Sequence, residues 1–177
     1  FLTISSIKLY SDGALGSRGA ALLEPYSDSP QSKGLELMIK PRLEIIAADA
    51  LKWGFQVCTH AIGDRGNRNT LDAYEAAMKV VPDSAVHKRF RIEHAQVVHE
   101  SDIPRFAKLG VIASMQPTHC TSDMYWAEER VGKDRIHGAY AWQKFLKSGV
   151  RLAAGSDAPV ESHNPLIGLY AAVTRQD

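Results

Sequence analysis

Four residues with ligand or proton-transfer chemistry stand at or within the ends of short apolar runs. Lys8 lies in the run 4–10, His60 closes 55–60, His94 closes 90–94 and Asp157 closes 151–157. Two neutral imidazoles and a carboxylate make a good ligand set for a divalent transition metal such as zinc. A lysine ammonium is a cation and binds no metal. Once CO2 has added to its amine, the carbamate is anionic and carries two oxygens able to bridge two metals. Burial favours that chemistry by lowering the lysine pKa and exposing the free amine.

Each residue also has a plainer reading. A lone strand-end histidine is more often a satisfied structural residue than a ligand. Asp157 can cap the segment before Pro159, and Lys8 can snorkel from a strand end. Four such residues falling on one face by coincidence is the weaker explanation. Among the other histidines, His87 and His99 lie in polar stretches and are expected to face solvent. His137 sits near a helix start, and His163 lies in the loop after the last strand, where it is a candidate to border a site.

The elements that must position these residues alternate. Strands are expected at 4–10, 55–60, 90–94, 111–115 and 151–157. Helices are expected at 41–54, 64–81 (ended by Pro82), 100–109, 139–148 and 165–176, with Gly54, Gly110 and Gly149 as stops. Residues 17–34 read as a long loop, and 116 to about 138 as an irregular segment. Strands alternating with helices argue for an α/β fold with a parallel sheet, either open and doubly wound or part of a closed (β/α) barrel. In both, strand C-terminal ends open onto one face, where active sites are built. No GxGxxG or P-loop glycine pattern supports a nucleotide-binding version.

Composition narrows the classes. A chain of 177 residues suits a single domain, and a net charge of +1 gives no reason to expect nucleic acid or an anionic membrane as partner. No apolar run approaches the roughly 18–20 residues of a membrane span. The two cysteines, Cys58 and Cys120, are too few for a disulfide framework, so a reducing, cytoplasmic setting is expected. The first residue is Phe1, on an apolar segment, which suggests that the native N-terminus lies upstream.

Several motifs carry a resemblance. They are Ile7-Lys8-Leu9-Tyr10-Ser11-Asp12-Gly13-Ala14-Leu15-Gly16-Ser17-Arg18, Thr59-His60-Ala61-Ile62-Gly63-Asp64-Arg65 and Arg91-Ile92-Glu93-His94-Ala95-Gln96. Met115-Gln116-Pro117-Thr118-His119 and Gly155-Ser156-Asp157-Ala158-Pro159-Val160 complete the set. In order and spacing they resemble amidohydrolase family 3, the group of the YtcJ-like proteins and the N-substituted formamide deformylases. The resemblance covers essentially the whole chain. It implies a partial TIM-type (β/α) barrel holding strands four to eight of an eightfold barrel, with a binuclear metal site. By position Lys8 resembles the carboxylated bridging lysine, and His60 and His94 the histidine ligands of the fifth and sixth strands. Asp157 resembles the eighth-strand aspartate, both ligand and general base.

The family's first strand carries a His-x-His pair, and none occurs here. Residues 1–177 are therefore expected to be a single partial barrel domain, with strands one to three and a small β domain lying elsewhere. Such a piece is expected to be inactive alone and to self-associate through open edges. The intact enzyme is expected to hydrolyse an amide or other non-peptide C–N bond of a small molecule. Metals would activate water and Asp157 would move the proton. Asp12, Arg18 and His119, on loops after strands, are candidates to hold substrate. Asp64-Arg65 is read as a helix-capping salt bridge. A non-catalytic association module is the competing reading. A serine or cysteine hydrolase is disfavoured by the absence of a G-x-S-x-G elbow, although Cys58 and His60 share a strand face.

Overall fold

The computed structural model describes residues 1–81 and 89–177. Five parallel strands pair in sequence order: β1 (Ser6–Tyr10), β2 (Gln56–Ala61), β3 (Arg91–His94), β4 (Ile112–Met115) and β5 (Leu152–Ala154). A doubly wound sheet reverses its order at a switch point; a barrel wall does not. The sequential order fits part of a TIM-type barrel. Residues Pro82 and His87, expected to end a helix and to face solvent respectively, lie outside the described residues.

Helices α1 (Lys40–Lys52), α2 (Asp64–Val80) and α3 (Ile103–Leu109) follow the first three strands. α1 starts with Pro41 in its first turn, where no N–H is needed, and buries Leu43, Ala47, Ala50 and Leu51 on one stripe. α3 ends at Gly110, which takes φ 66° as a left-handed cap. The helices cover one face of the sheet. There Val57, Ile92, Ala113 and Met115 pack with Leu51, Leu71, Tyr74, Phe106 and Phe145 in one buried core. Each large side chain buried there contributes about 1.5–3 kcal/mol. The Tyr74 hydroxyl donates within the core, 2.7 Å from Thr59 Oγ1 and 3.0 Å from the Arg91 carbonyl.

The segment expected to be irregular contains two helices, α4 (Pro117–Asp123) and α5 (Ala127–Arg135). Pro117 pre-sets the first turn of α4. Glu128 and Glu129 at the start of α5, with Lys133 and Arg135 at its end, suit the helix dipole, although Gly132 at φ 79° interrupts it. α6 (Trp142–Lys147) begins three residues later than expected, because Tyr140 takes φ 48°. β5 is also shorter than expected and leaves Asp157 beyond its end, at φ 55°. α7 (Pro165–Thr174) completes the chain.

The loops after the strands have a core of their own. Leu15, Ala20, Leu22, Tyr26, Ile62, Val97, Cys120, Ala127, Val131, Ala139 and Tyr140 form a second buried cluster. Residues 17–34 are therefore packed chain, with the Tyr26 hydroxyl donating to the Ala20 carbonyl at 2.8 Å.

A candidate metal centre at the strand ends

Strand register sets one row of side chains across the inner face. Tyr10 pairs with His60, His60 with Glu93, Glu93 with Ser114, and Ser114 with Ala153. Lys8 pairs with Cys58 one layer below. Ile7 and Leu9 pack against the helical core, so alternation turns Lys8 and Tyr10 to the opposite side. Paired residues share that face, which places His60 there too.

His94 pairs with Ala61, a core residue, so simple alternation would send its ring outward. It does not go there. His94 and Ala95 both take positive φ, 74° and 42°, in a region that non-glycine residues rarely adopt. The His94 ring then meets His60 edge to face, with centroids 4.5 Å apart. On its other side the His119 ring stacks at 5.8 Å, with planes 11° apart. Strain of this kind costs about 1–3 kcal/mol per residue and persists where the surroundings enforce it.

Burial holds both strand-end imidazoles neutral. It pushes the His94 pKa down to about 3, assisted by His60, His119 and Lys8 and opposed by the hydrogen bond to Gln116. Burial also lowers His60, helped by the Lys8 charge, while the Gly13 backbone and Asp157 pull the other way. Nε2 of His60 and Nε2 of His119 are buried without a hydrogen-bond partner. Unpartnered buried nitrogens are uncommon, and neutral imidazole nitrogens are metal donors.

Lys8 is exposed on the inner face, its Nζ 5.2 Å from the centre of the Tyr10 ring. Asp157 is exposed beyond β5, and its charge reaches His60. Among the described residues, no three His, Cys, Asp or Glu side chains converge closely enough to hold a metal by themselves. The donor chemistry present fits half of a centre: two neutral imidazoles side by side, with Lys8 inside β1 and Asp157 beyond β5 near enough for their charges to reach His60.

Asp12 occupies a different place from a substrate contact. It is fully buried. Oδ1 accepts from the Ile62 N–H at 2.9 Å, and Oδ2 from the Gly63 and Ala21 N–H groups at 2.8 and 2.9 Å. It thereby ties the β1 loop to the end of β2, 3.6 Å from His60 Nε2. Burial raises its pKa to about 7, against the pull of those three donors and of Arg65. Two glycines make room for this knot. A Cβ on Gly66 would lie 2.5 Å from Asp12 Oδ2, and one on Gly63 would lie 2.0 Å from the Ala21 carbonyl oxygen.

Arg18 is likewise engaged elsewhere, in a two-point ion pair with Asp28 at 3.1 and 2.8 Å. Asp64 and Arg65 do not pair with each other through their side chains. Asp64 Oδ1 accepts from the Leu23 and Arg65 N–H groups, while the Arg65 guanidinium faces Glu36 at 3.3 Å. His99 is exposed and caps the turn Glu100–Asp102, and His137 is exposed as well. Cys58 and Cys120 are both free and buried.

Residue-type reasoning missed Gln116, whose Oε1 lies 2.7 Å from His94 Nδ1. It also missed the network in which Gln96 and the Tyr140 hydroxyl both donate to Asp123. The signal was present in the motif neighbours: Gln116 follows Met115, and Gln96 stands two residues after His94. A cleft of about 390 Å³ opens beside β5, lined by Pro117, Gly155, Ser156, His163, Gly168 and Leu169 among others.

Comparisons with known proteins agree with this architecture. The sequence matches the amidohydrolase family over residues 1–177. It is 37% identical to YtcJ of Bacillus subtilis (strain 168) over 176 residues, which are 99% of this chain and 32% of that protein. It is 39% identical to the protein LONG AFTER FAR-RED 3 of Arabidopsis thaliana over 176 residues, 99% of this chain and 30% of that one. The crystal structure of an uncharacterized metal-dependent hydrolase from Pyrococcus horikoshii OT3 superposes with a TM-score of 0.87 at 35% identity. The match covers 97% of this chain and 33% of that chain. This chain thus spans about a third of the length of these relatives. With the family matched along the whole sequence and the fold matched to a metal-dependent hydrolase, the chain belongs to the amidohydrolase family.

Proposed function

We propose that this chain is the later part of a metal-dependent barrel hydrolase acting on an amide or other non-peptide C–N bond of a small molecule. Barrel strands one to three and the small β domain would come from other parts of the protein. One observation carries the reading: two neutral imidazoles from neighbouring strands, His94 buried and His60 half-buried, meet at 4.5 Å on the open face, and His94 is held there by strained backbone. Packing alone gives no reason for that strain.

Lys8 as its carbamate, His60, His94 and Asp157 would hold a divalent metal, zinc being the choice that suits imidazole and carboxylate donors. When bound, the metal would supply Lewis acidity toward water and the scissile carbonyl. Asp157, exposed at the strand end, would take the proton from the attacking water and pass it to the departing nitrogen. Asp12 would keep the β1 and β2 loops in register without touching substrate. His119, stacked on His94, would hold the substrate. The cleft beside β5, walled by Leu169 and the two open glycines Gly155 and Gly168, would take an apolar substituent.

The test, made on the intact protein that carries this chain, pairs metal content, by inductively coupled plasma mass spectrometry, with hydrolysis of N-acyl and N-formyl amines before and after chelation. Bound metal, with turnover lost on chelation and restored by zinc, is expected. Turnover that survives full removal of metal would overturn the mechanism, and absence of metal after growth with zinc would overturn the site.

The association reading also has an observation in its favour. β1 and β5 lie at the two ends of the strand order, and Phe1, Leu2, Ile4, Leu166 and Val173 are exposed. Open edges and apolar surface favour pairing with another copy. Sedimentation of residues 1–177 as a concentration-dependent oligomer is the expected result for the chain alone.

A further inference from the structure

A histidine binds metal only through a ring nitrogen that carries no proton, so its tautomer decides which atom is the ligand. Nδ1 of His94 lies 2.7 Å from Oε1 of Gln116. The other end of that amide, Nε2, donates to the Ser114 carbonyl at 3.3 Å. Turning the amide over would set its oxygen against that carbonyl oxygen, a contact between two acceptors with no proton to share. The acceptor therefore faces His94, and Nδ1 must donate. Both side chains are buried, with His94 6% and Gln116 8% exposed, so water does not readily take over either role.

The backbone of Gln116 is fixed as well. It stands at the N-cap of α4, before Pro117, which restrains the preceding residue to extended geometry. Its carbonyl accepts from the His119 N–H at 3.2 Å. One residue thus touches His94 through its side chain and His119 through its main chain.

We infer that Gln116 is a positioning residue for the metal centre, locking His94 with its proton on Nδ1 and leaving Nε2 as the ligand atom. The inference rests on the metal reading above. It belongs to a general pattern in which the partner of a ligating histidine fixes ring orientation, and its loss weakens metal binding about 10–100-fold.

The experiment is nitrogen NMR of the metal-free, intact protein labelled with 15N at histidine, with the His94 signals assigned by their loss in His94→Gln. A protonated Nδ1 and a bare Nε2 are expected in the wild type. Gln116→Leu should shift the ring toward the Nε2–H form and weaken zinc binding about 10–100-fold. Gln116→Glu keeps an acceptor oxygen and should preserve the tautomer, with affinity closer to wild type. A proton on Nε2 in the wild type would overturn the inference. So would a folded Gln116→Leu with unchanged tautomer and affinity. If the tautomer is as expected but the wild type takes up no zinc, the metal reading fails, and the role given to Gln116 fails with it.

Discussion

The rings of His60 and His94 meet edge to face at 4.5 Å although the sheet register pairs His94 with Ala61, not with an inner-face residue. The backbone at His94 and Ala95 makes up the difference by entering the left-handed region. Ala95→Gly should relieve that strain, since glycine reaches positive φ freely. The variant should be as stable as wild type or more so, by up to about 1 kcal/mol, in urea unfolding of the metal-free protein. A clear loss of stability would show that the Ala95 methyl, buried in the main core, outweighs the strain.

His94 predicts an acid limb of stability. Its folded pKa of about 3 lies below the ordinary histidine value of 6.5, so the unfolded chain takes up the proton first. The contribution is fully present above pH 6.5 and is lost as pH falls toward 3. The melting temperature of metal-free protein should drop across that window, and His94→Gln should flatten the drop.

Asp12 acts with the opposite sign. Its folded pKa of about 7 lies above 3.8, so its contribution is present below pH 3.8 and is lost as pH rises to about 7. Replacing one of its oxygens with an amide nitrogen sets donor against backbone donor. Asp12→Asn should therefore destabilise by about 1–3 kcal/mol. Urea denaturation at neutral pH, compared with wild type, measures it.

Two glycine substitutions should separate sharply. A Cβ on Gly63 would lie 2.0 Å from the Ala21 carbonyl oxygen, so Gly63→Ala must push the β1 loop away and should destabilise by more than about 2 kcal/mol. A Cβ on Gly168 meets nothing within 4 Å, and alanine or leucine there favours helix. Gly168→Leu should leave the melting temperature within a few degrees. On the proposed hydrolase reading it should also raise KM for amides with bulky apolar substituents while sparing small ones.

Lys8→Ala should lower metal content and turnover together, since it removes the only lysine on the inner row of β1. A short carboxylate added to the assay should restore part of both. Wild-type metal content in Lys8→Ala would remove the carbamate from the site.

The alternation of strands and helices is legible in the sequence because apolar runs and helical spacing mark each element, while the in-order strands of a barrel wall follow from the family resemblance. The direction of the His94 ring is not legible, since strand alternation sends it outward and only the twist after β3 returns it. The segment 116–138 looked irregular because its apolar residues are few; its helices pack by Ala127 and Val131 against other loops. Asp12 reads as substrate-facing because it lies on a loop after a strand, at the end where active sites are built. Its capture by three backbone N–H groups depends on residues about 9 and 50 positions away, which no local pattern reveals.

The two separate cores carry an evolutionary consequence. The sheet and its helices share one cluster, while the loops over the strand ends share another, with Trp142 packed against both. A lineage can therefore rework the roof of the pocket, altering which molecules fit, without reopening the walls that hold the imidazoles. Drift in which molecules fit then becomes compatible with a nearly constant strand frame, and sequence divergence among descendants should concentrate in the loop cluster.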